Sequence, residues 1–198
     1  MARTSRIARP PASRARRFAA AAACCLLLTA CPPEGGRLAP VLPDGDGVRI
    51  TSRAGVEVLE VTRDGVTMAA GGRWSVADAA TSVILEVTNA NAEELSIDFG
   101  GAHLKFGHAS QYLALRSLAD EAEPGGPVKF LRERSVTVGG GRGARFALEF
   151  WLDGGDGRAG VARDVGGRAV ILRIPAELRR ETSAEVDFVF VFKYSESR

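Results

Sequence analysis

Most of this chain alternates between apolar and polar residues, and this period of two constrains its fold more than any other feature. Gly, Asn and Asp residues separate the alternating runs, as they do between β-strands. The clearest apolar positions are Val83, Leu85 and Val87; Leu95, Ile97 and Phe99; Phe146, Leu148, Phe150 and Leu152; and Val186, Phe188, Phe190, Phe192 and Tyr194. No segment has the 3.6-residue period of a long amphipathic helix. The pattern therefore predicts an all-β domain.

Turn signals and strand spacing favour one architecture for this domain. Asp64-Gly65, between apolar runs, predicts a tight β-hairpin. Further strands are predicted over Gln111–Leu118, Val128–Val138 and Arg168–Ile174, giving roughly eight to ten short strands in all, a number typical of sandwiches. We therefore expect a single immunoglobulin-like antiparallel β-sandwich over residues 48–198, with an up-and-down β-barrel as the alternative.

Two short segments resemble bacterial immunoglobulin-like domains. One is Val87-Thr88-Asn89-Ala90-Asn91, a strand that runs into a turn. The other is Gly139–Gly143, which leads into the strand Phe146–Phe150. The resemblance implies the same sandwich that the strand spacing predicts.

The first 30 residues have the organisation of a signal peptide. Six arginines and no acidic residue precede an uncharged run of 13 residues, Phe18–Ala30. This run has the length of a signal-peptide core and is shorter than the roughly 20 residues that span a bilayer. We therefore predict that residues 1–30 direct export.

The end of this run discriminates between export types. Leu28 occupies the −3 position of a cut before Cys31, where an ordinary signal peptidase site has a small residue. Leu28-Thr29-Ala30-Cys31 instead resembles the lipobox of bacterial lipoproteins. The resemblance implies cleavage before Cys31, a diacylglyceryl thioether on its sulfur, an acyl group such as palmitate on its new amine, and attachment to a membrane. Pro32, where an Asp favours inner-membrane retention, indicates the outer membrane if the cell is Gram-negative.

The residues after Cys31 divide into a linker and the domain. Residues 31–47 are rich in Pro and Gly, which disfavours regular structure and predicts a tether. The rest of the chain after residue 30 contains 20 basic and all 24 acidic residues, a net charge of −4. An acidic mature protein has no electrostatic attraction for nucleic acid.

The remaining candidates for chemistry are weak. His103 and His108 do not provide the three or four donors of a metal site. The loop Asp153–Gly157 lacks the later glutamate of an EF-hand. Gly139–Gly143 lacks the Gly-Lys-Ser/Thr of a phosphate-binding loop. We therefore predict no metal, no cofactor and no catalytic residue.

Trp151 is the candidate for a partner surface. It lies on the strand face opposite Phe150, where it is either exposed or covered by the loop 154–165. We expect a non-enzymatic binding or assembly module of the cell envelope. An envelope hydrolase with a dispersed site and a protease-inhibitor-like sandwich are the alternatives.

Overall fold

The computed structural model describes residues 35–43, 45–53, 55–75, 80–106, 112–121, 128–152, 169–179 and 183–196. Within these ranges the chain is all-β, with thirteen strands and no helix. The strands are β1 (Gly35–Pro40), β2 (Val48–Arg53), β3 (Val56–Arg63), β4 (Val66–Ser75), β5 (Ala80–Asn89), β6 (Leu95–Asp98), β7 (His103–Phe106), β8 (Tyr112–Glu121), β9 (Val128–Phe130), β10 (Ser135–Val138), β11 (Gly143–Leu152), β12 (Ala169–Leu178) and β13 (Ala184–Glu196).

The alternating residues form the core, as predicted. In β5, β11 and β13 the apolar residue at every second position is buried, and the intervening residues are more exposed. The predicted hairpin joins β3 to β4 through Asp64 and Gly65. Both have positive φ values, 47° and 75°, as a tight hairpin turn requires.

Eight of the strands close into an antiparallel barrel, in the order β1-β13-β12-β7-β8-β11-β5-β4. The ring is completed by the pairing of β1 with β4, in which Leu38 faces Gly72. This closure fits the barrel that was the alternative expectation better than the predicted immunoglobulin-like sandwich. The strand order is nevertheless not the sequential order of an up-and-down barrel, because β11 lies between β5 and β8, and β7 pairs with β12 rather than with β5.

Closure depends on two short strands at one end of the barrel. Strand β1 joins the end of β13 to the end of β4, and β7 joins the start of β12 to the start of β8. Beyond them the partners change: β4 pairs with β3, β12 with β6, and β8 with β9. The alternation predicted most strands of both ends, but not the two bridging strands that make the ring. The predicted strand Val128–Val138 is two strands, β9 and β10, which pair with different neighbours.

The five extra strands extend the barrel at its other end. Strand β2 pairs with β3 and so forms the edge of the sheet, while β10 pairs with β6. The break between β6 and β7 lies opposite Pro175, which has no N–H to donate to a neighbouring strand. Gly101 fits there because an added Cβ would lie 3.1 Å from the Pro175 ring.

Part of the predicted tether belongs to the barrel. Residues Gly35–Pro40 form β1, and the Val41 N–H donates a hydrogen bond of 2.9 Å to the Val191 carbonyl. Leu38 is buried in the core. The tether prediction is therefore wrong for these residues, and the compact unit begins at Glu34 rather than at Val48.

Aromatic side chains fill the interior of the barrel. Its fully buried members include Phe99, Phe146, Phe150, Phe188, Phe190 and Phe192. Trp74 packs edge-on against Tyr194, with ring centroids 5.4 Å apart, as expected of a core anchor. Burial raises the pKa of Tyr194 to about 12, although the hydrogen bond with Thr81 lowers it in part, so its hydroxyl stays protonated.

Candidate functional site

Several residues singled out in the sequence lie outside the described residues. They are the lipobox residues Leu28, Thr29, Ala30 and Cys31, and also His108, Asp153 and Asp156. Their predicted roles therefore remain predictions. Among the residues that the structure describes, no group of three or more His, Cys, Asp or Glu side chains is placed to hold a metal ion. The same residues form no helix that could cross a membrane.

His103 lies at the start of β7, away from any cluster of metal-binding groups in the described part of the chain. Its Nδ1 is 3.0 Å from the Gly101 carbonyl, and its side chain is half-buried. A contact between a ring nitrogen and the backbone two residues earlier orients the imidazole locally.

Trp151 lies on the outer face of the barrel, near the closed end of β11. Its neighbour Phe150 is fully buried, whereas Trp151 is half-buried. The guanidinium carbon of Arg116 lies 3.9 Å from the centre of the Trp151 ring. A guanidinium at this distance from an aromatic face makes a cation–π contact. Trp151 therefore belongs to a local cluster rather than standing alone on the surface.

A β-bulge brings Arg116 to this position. Where β8 pairs with β11, Glu149 faces Ser117 but the next residue, Phe150, faces Leu115, so that Arg116 is an extra residue in β8. A bulge changes the direction in which a strand presents its side chains. Arg116 is consequently exposed on the outer face, over Trp151.

Arg134 approaches the same place from the segment 131–134, which connects β9 to β10. This segment is held at its two ends by hydrogen bonds from the Leu131 N–H to the Leu118 carbonyl and from the Phe99 N–H to the Arg134 carbonyl. Nη2 of Arg134 donates to the Arg116 carbonyl over 2.9 Å. We call Arg116, Arg134 and Trp151 the Trp151 patch.

The patch contains hydrogen-bond donors that have no acceptor. Nε1 of Trp151 and Nη1 of Arg134 are both buried, and neither has a hydrogen-bond partner within the described part of the chain. Most buried polar atoms in folded proteins are hydrogen-bonded, to protein or to ordered water. Neither arginine of the patch forms an ion pair with a described residue.

Phe130 adds exposed apolar surface on β9, the strand that pairs with the later part of β8. It lies on β9, whose described pairing is with β8, and it faces Ala119 there. Its side chain is 74% exposed.

A row of charged side chains lies on the outer face of β2, β3, β5, β8 and β11. Its members form ion pairs with one another, so we interpret the row as a stabilising feature of the fold. Each of its arginines binds at least one glutamate, in the order Arg49, Glu60, Arg53, Glu86, Arg145 and Glu121. Arg53 binds both Glu60 and Glu86, which lie on either side of Ala69 in the strand register. Ala69 is 3% exposed although it lies on the outer face. In this row every arginine has a carboxylate partner, in contrast to the Trp151 patch.

Comparison with known proteins supplies no family for the chain. Neither a scan against protein-family models nor a search of curated proteins finds a match.

Sequence reasoning found one residue of the patch and missed two. The missing signal for Arg116 is a change of spacing in β8, where Leu113 and Leu115 are two residues apart but Leu118 follows after three. Such a change from two to three within a strand indicates a bulge. No comparable signal exists for Arg134, because its position depends on a contact with a residue 18 positions earlier.

Proposed function

We propose that this chain is an exported bacterial lipoprotein, attached to a membrane by lipid on Cys31, and that its barrel is a non-enzymatic binding or assembly module of the cell envelope. The module binds its partner through the Trp151 patch and the neighbouring edge strand β9. The outer membrane is the proposed location if the cell is Gram-negative.

The sequence at residues 28–31 carries the proposal for the anchor. Leu28-Thr29-Ala30-Cys31 resembles a lipobox and follows six arginines and a 13-residue apolar run, the arrangement that lipoprotein export requires. The cysteines at 24 and 25 lie within the apolar run, where they act as apolar residues.

The contrast between the paired and unpaired arginines supports a binding role for the patch. Arg49, Arg53 and Arg145 are bound to carboxylates of the barrel. Arg116 is exposed on an aromatic ring, and Arg134 is half-buried beside it. Arg and Trp are enriched at the energetically important positions of protein interfaces.

The anchor and the barrel are separated by a short connection. Three residues lie between Cys31 and β1. Four Cα–Cα steps at full extension reach at most about 14 Å. A lipid on Cys31 would therefore hold the start of β1 close to the membrane surface, in place of the longer tether that the composition predicts.

Metabolic labelling tests the anchor. Bacteria that express the chain are fed a palmitate analogue, and the protein is examined for label and for fractionation with membranes. We expect label and membrane association in the natural chain and in Cys24→Ser, which serves as the matched control. Cys31→Ser should lose both. Equal labelling of the Cys31→Ser protein would contradict the proposal.

A further inference from the structure

The Trp151 patch contains two buried N–H donors that have no acceptor among the described residues. Nε1 of Trp151 and Nη1 of Arg134 are buried and have no partner among the described residues, and Nη2 of Arg134 already donates to the Arg116 carbonyl. An indole N–H and a guanidinium can only donate. Whatever completes their hydrogen bonding must therefore present acceptor atoms.

The charge at the patch restricts the acceptor further. The Arg134 guanidinium binds the backbone carbonyl of Arg116, and no carboxylate of the described residues forms an ion pair with either arginine. An anion would offset both positive charges and supply the acceptors at once. Charge-assisted hydrogen bonds from Arg to carboxylate or phosphate are shorter and stronger than neutral ones, and they are often bidentate.

The position of Arg116 also suits a ligand that arrives from outside. The bulge in β8 makes its side chain exposed, and the Trp151 ring holds its guanidinium from one side. Held in this way, the planar group loses little conformational freedom when its free N–H groups bind. Arg134 is half-buried, and from the segment 131–134 its side chain reaches the backbone carbonyl of Arg116.

We infer that the Trp151 patch is an oxyanion-binding site, which takes a carboxylate or phosphate group of the partner molecule. Arg116 provides the exposed guanidinium, and Arg134 and Trp151 provide the buried N–H donors. The inference rests on the proposed function, because it specifies the chemistry by which the binding module recognises its partner.

Tryptophan fluorescence gives a direct readout, because Trp151 is part of the site. The purified protein is titrated with inorganic phosphate in one arm and with tetraglutamate in the other, and sodium chloride provides the control at matched ionic strength. We expect a saturable fluorescence change in at least one arm, and the arm that responds identifies the source of the oxyanion. The change should be absent in Trp151→Phe, which retains Trp74.

The arginine variants locate the site. The Arg116 side chain is exposed, so the Arg116→Gln protein should fold normally. We expect this substitution to weaken oxyanion binding at least tenfold. Arg134→Gln should have a similar effect, and a thermal melt shows whether it remains folded. Arg142→Gln, an exposed arginine at the β10–β11 turn, is the matched control and should bind as the natural chain does.

Three results would overturn the inference. They are the absence of a saturable change in both arms, an equal change with chloride at the same ionic strength, and equal binding by the Arg116→Gln and Arg142→Gln proteins. The first would mean that the patch does not bind an oxyanion. Palmitate labelling lost on Cys31→Ser would stand in each case, so this failure is distinguishable from failure of the proposed anchor.

Discussion

Glu60 is the most buried carboxylate among the described residues, although it points away from the barrel core. Its side chain is 3% exposed, and it accepts hydrogen bonds from Arg49 Nε over 2.7 Å and from Arg53 Nη2 over 2.8 Å. Burial by itself raises the pKa of Glu60, but the hydrogen bonds and then the charges of the two arginines outweigh it, so the pKa lies below its usual value of 4.5. No sequence pattern predicts this pair of contacts, because it depends on the pairing register of β2 and β3.

Replacing Glu60 by Gln should destabilise the protein by about 1.5–3 kcal/mol, because the negative charge is lost and the amide keeps one acceptor oxygen where each carboxylate oxygen binds an arginine. Urea unfolding at pH 7 measures the change in the free energy of unfolding. Glu57→Gln, on the exposed part of the same strand, is the control and should change it by less than about 0.5 kcal/mol. A similar loss of unfolding free energy in the two variants would mean that the contacts of Glu60 with Arg49 and Arg53 do not stabilise the fold.

The pH dependence of the same comparison follows from the lowered pKa. A carboxyl group whose pKa is lower in the folded state stabilises the fold above its unfolded pKa, and this contribution disappears as the pH falls through the folded pKa. The stability difference between the natural chain and Glu60→Gln should therefore persist down to about pH 4.5 and shrink below it. A difference that did not change down to pH 2 would contradict the lowered pKa.

At the scale of elements, the alternation predicts strands well and their partners poorly. The buried faces of β5, β11 and β13 are as predicted, because successive side chains of a strand point to opposite faces of the sheet whatever the neighbouring strand is. Strand β1 was missed because Leu38 is its single large apolar residue. The bulge in β8 was missed although the spacing of Leu113, Leu115 and Leu118 indicates it. The segment 131–134 was missed because its position depends on contacts between distant residues.

Gly36 tests the packing of β1 between its two neighbours. An added Cβ would lie 1.8 Å from the Ser195 carbonyl oxygen, which belongs to the backbone of β13 and moves only with the strand. Gly36→Ala should therefore destabilise the protein by about 1–3 kcal/mol. In Gly139→Ala the nearest atom is 3.6 Å away, and this control should be neutral within about 0.5 kcal/mol. Thermal or urea unfolding of both proteins gives the comparison, and an unaffected Gly36→Ala would mean that β1 does not pack closely against β13.

At the scale of the whole molecule, the all-β class was evident from the sequence, but the closed barrel was not. A sandwich and a barrel bury the same alternating faces, so periodicity does not distinguish them. Here the barrel differs from a sandwich because β1 and β7 bridge the two sheets at one end. These strands have only six and four residues, which is too short for a clear alternation in the sequence. The candidate site was less predictable still, since one of its three residues was found.

The main structural conclusion is that Gly35–Pro40, which begin four residues after Cys31, form a strand of the barrel rather than part of a tether. Its most direct test is the thermal unfolding of two soluble fragments, one that begins at Pro32 and one that begins at Val48. The shorter fragment lacks β1, so it loses the burial of Leu38 and the strand that joins β13 to β4. Loss of one buried leucine alone costs about 2–5 kcal/mol, which corresponds to a melting temperature lower by roughly 5–20 °C. We therefore predict a shift of at least this size, or failure of the shorter fragment to fold, whereas equal melting temperatures for the two fragments would contradict the claim.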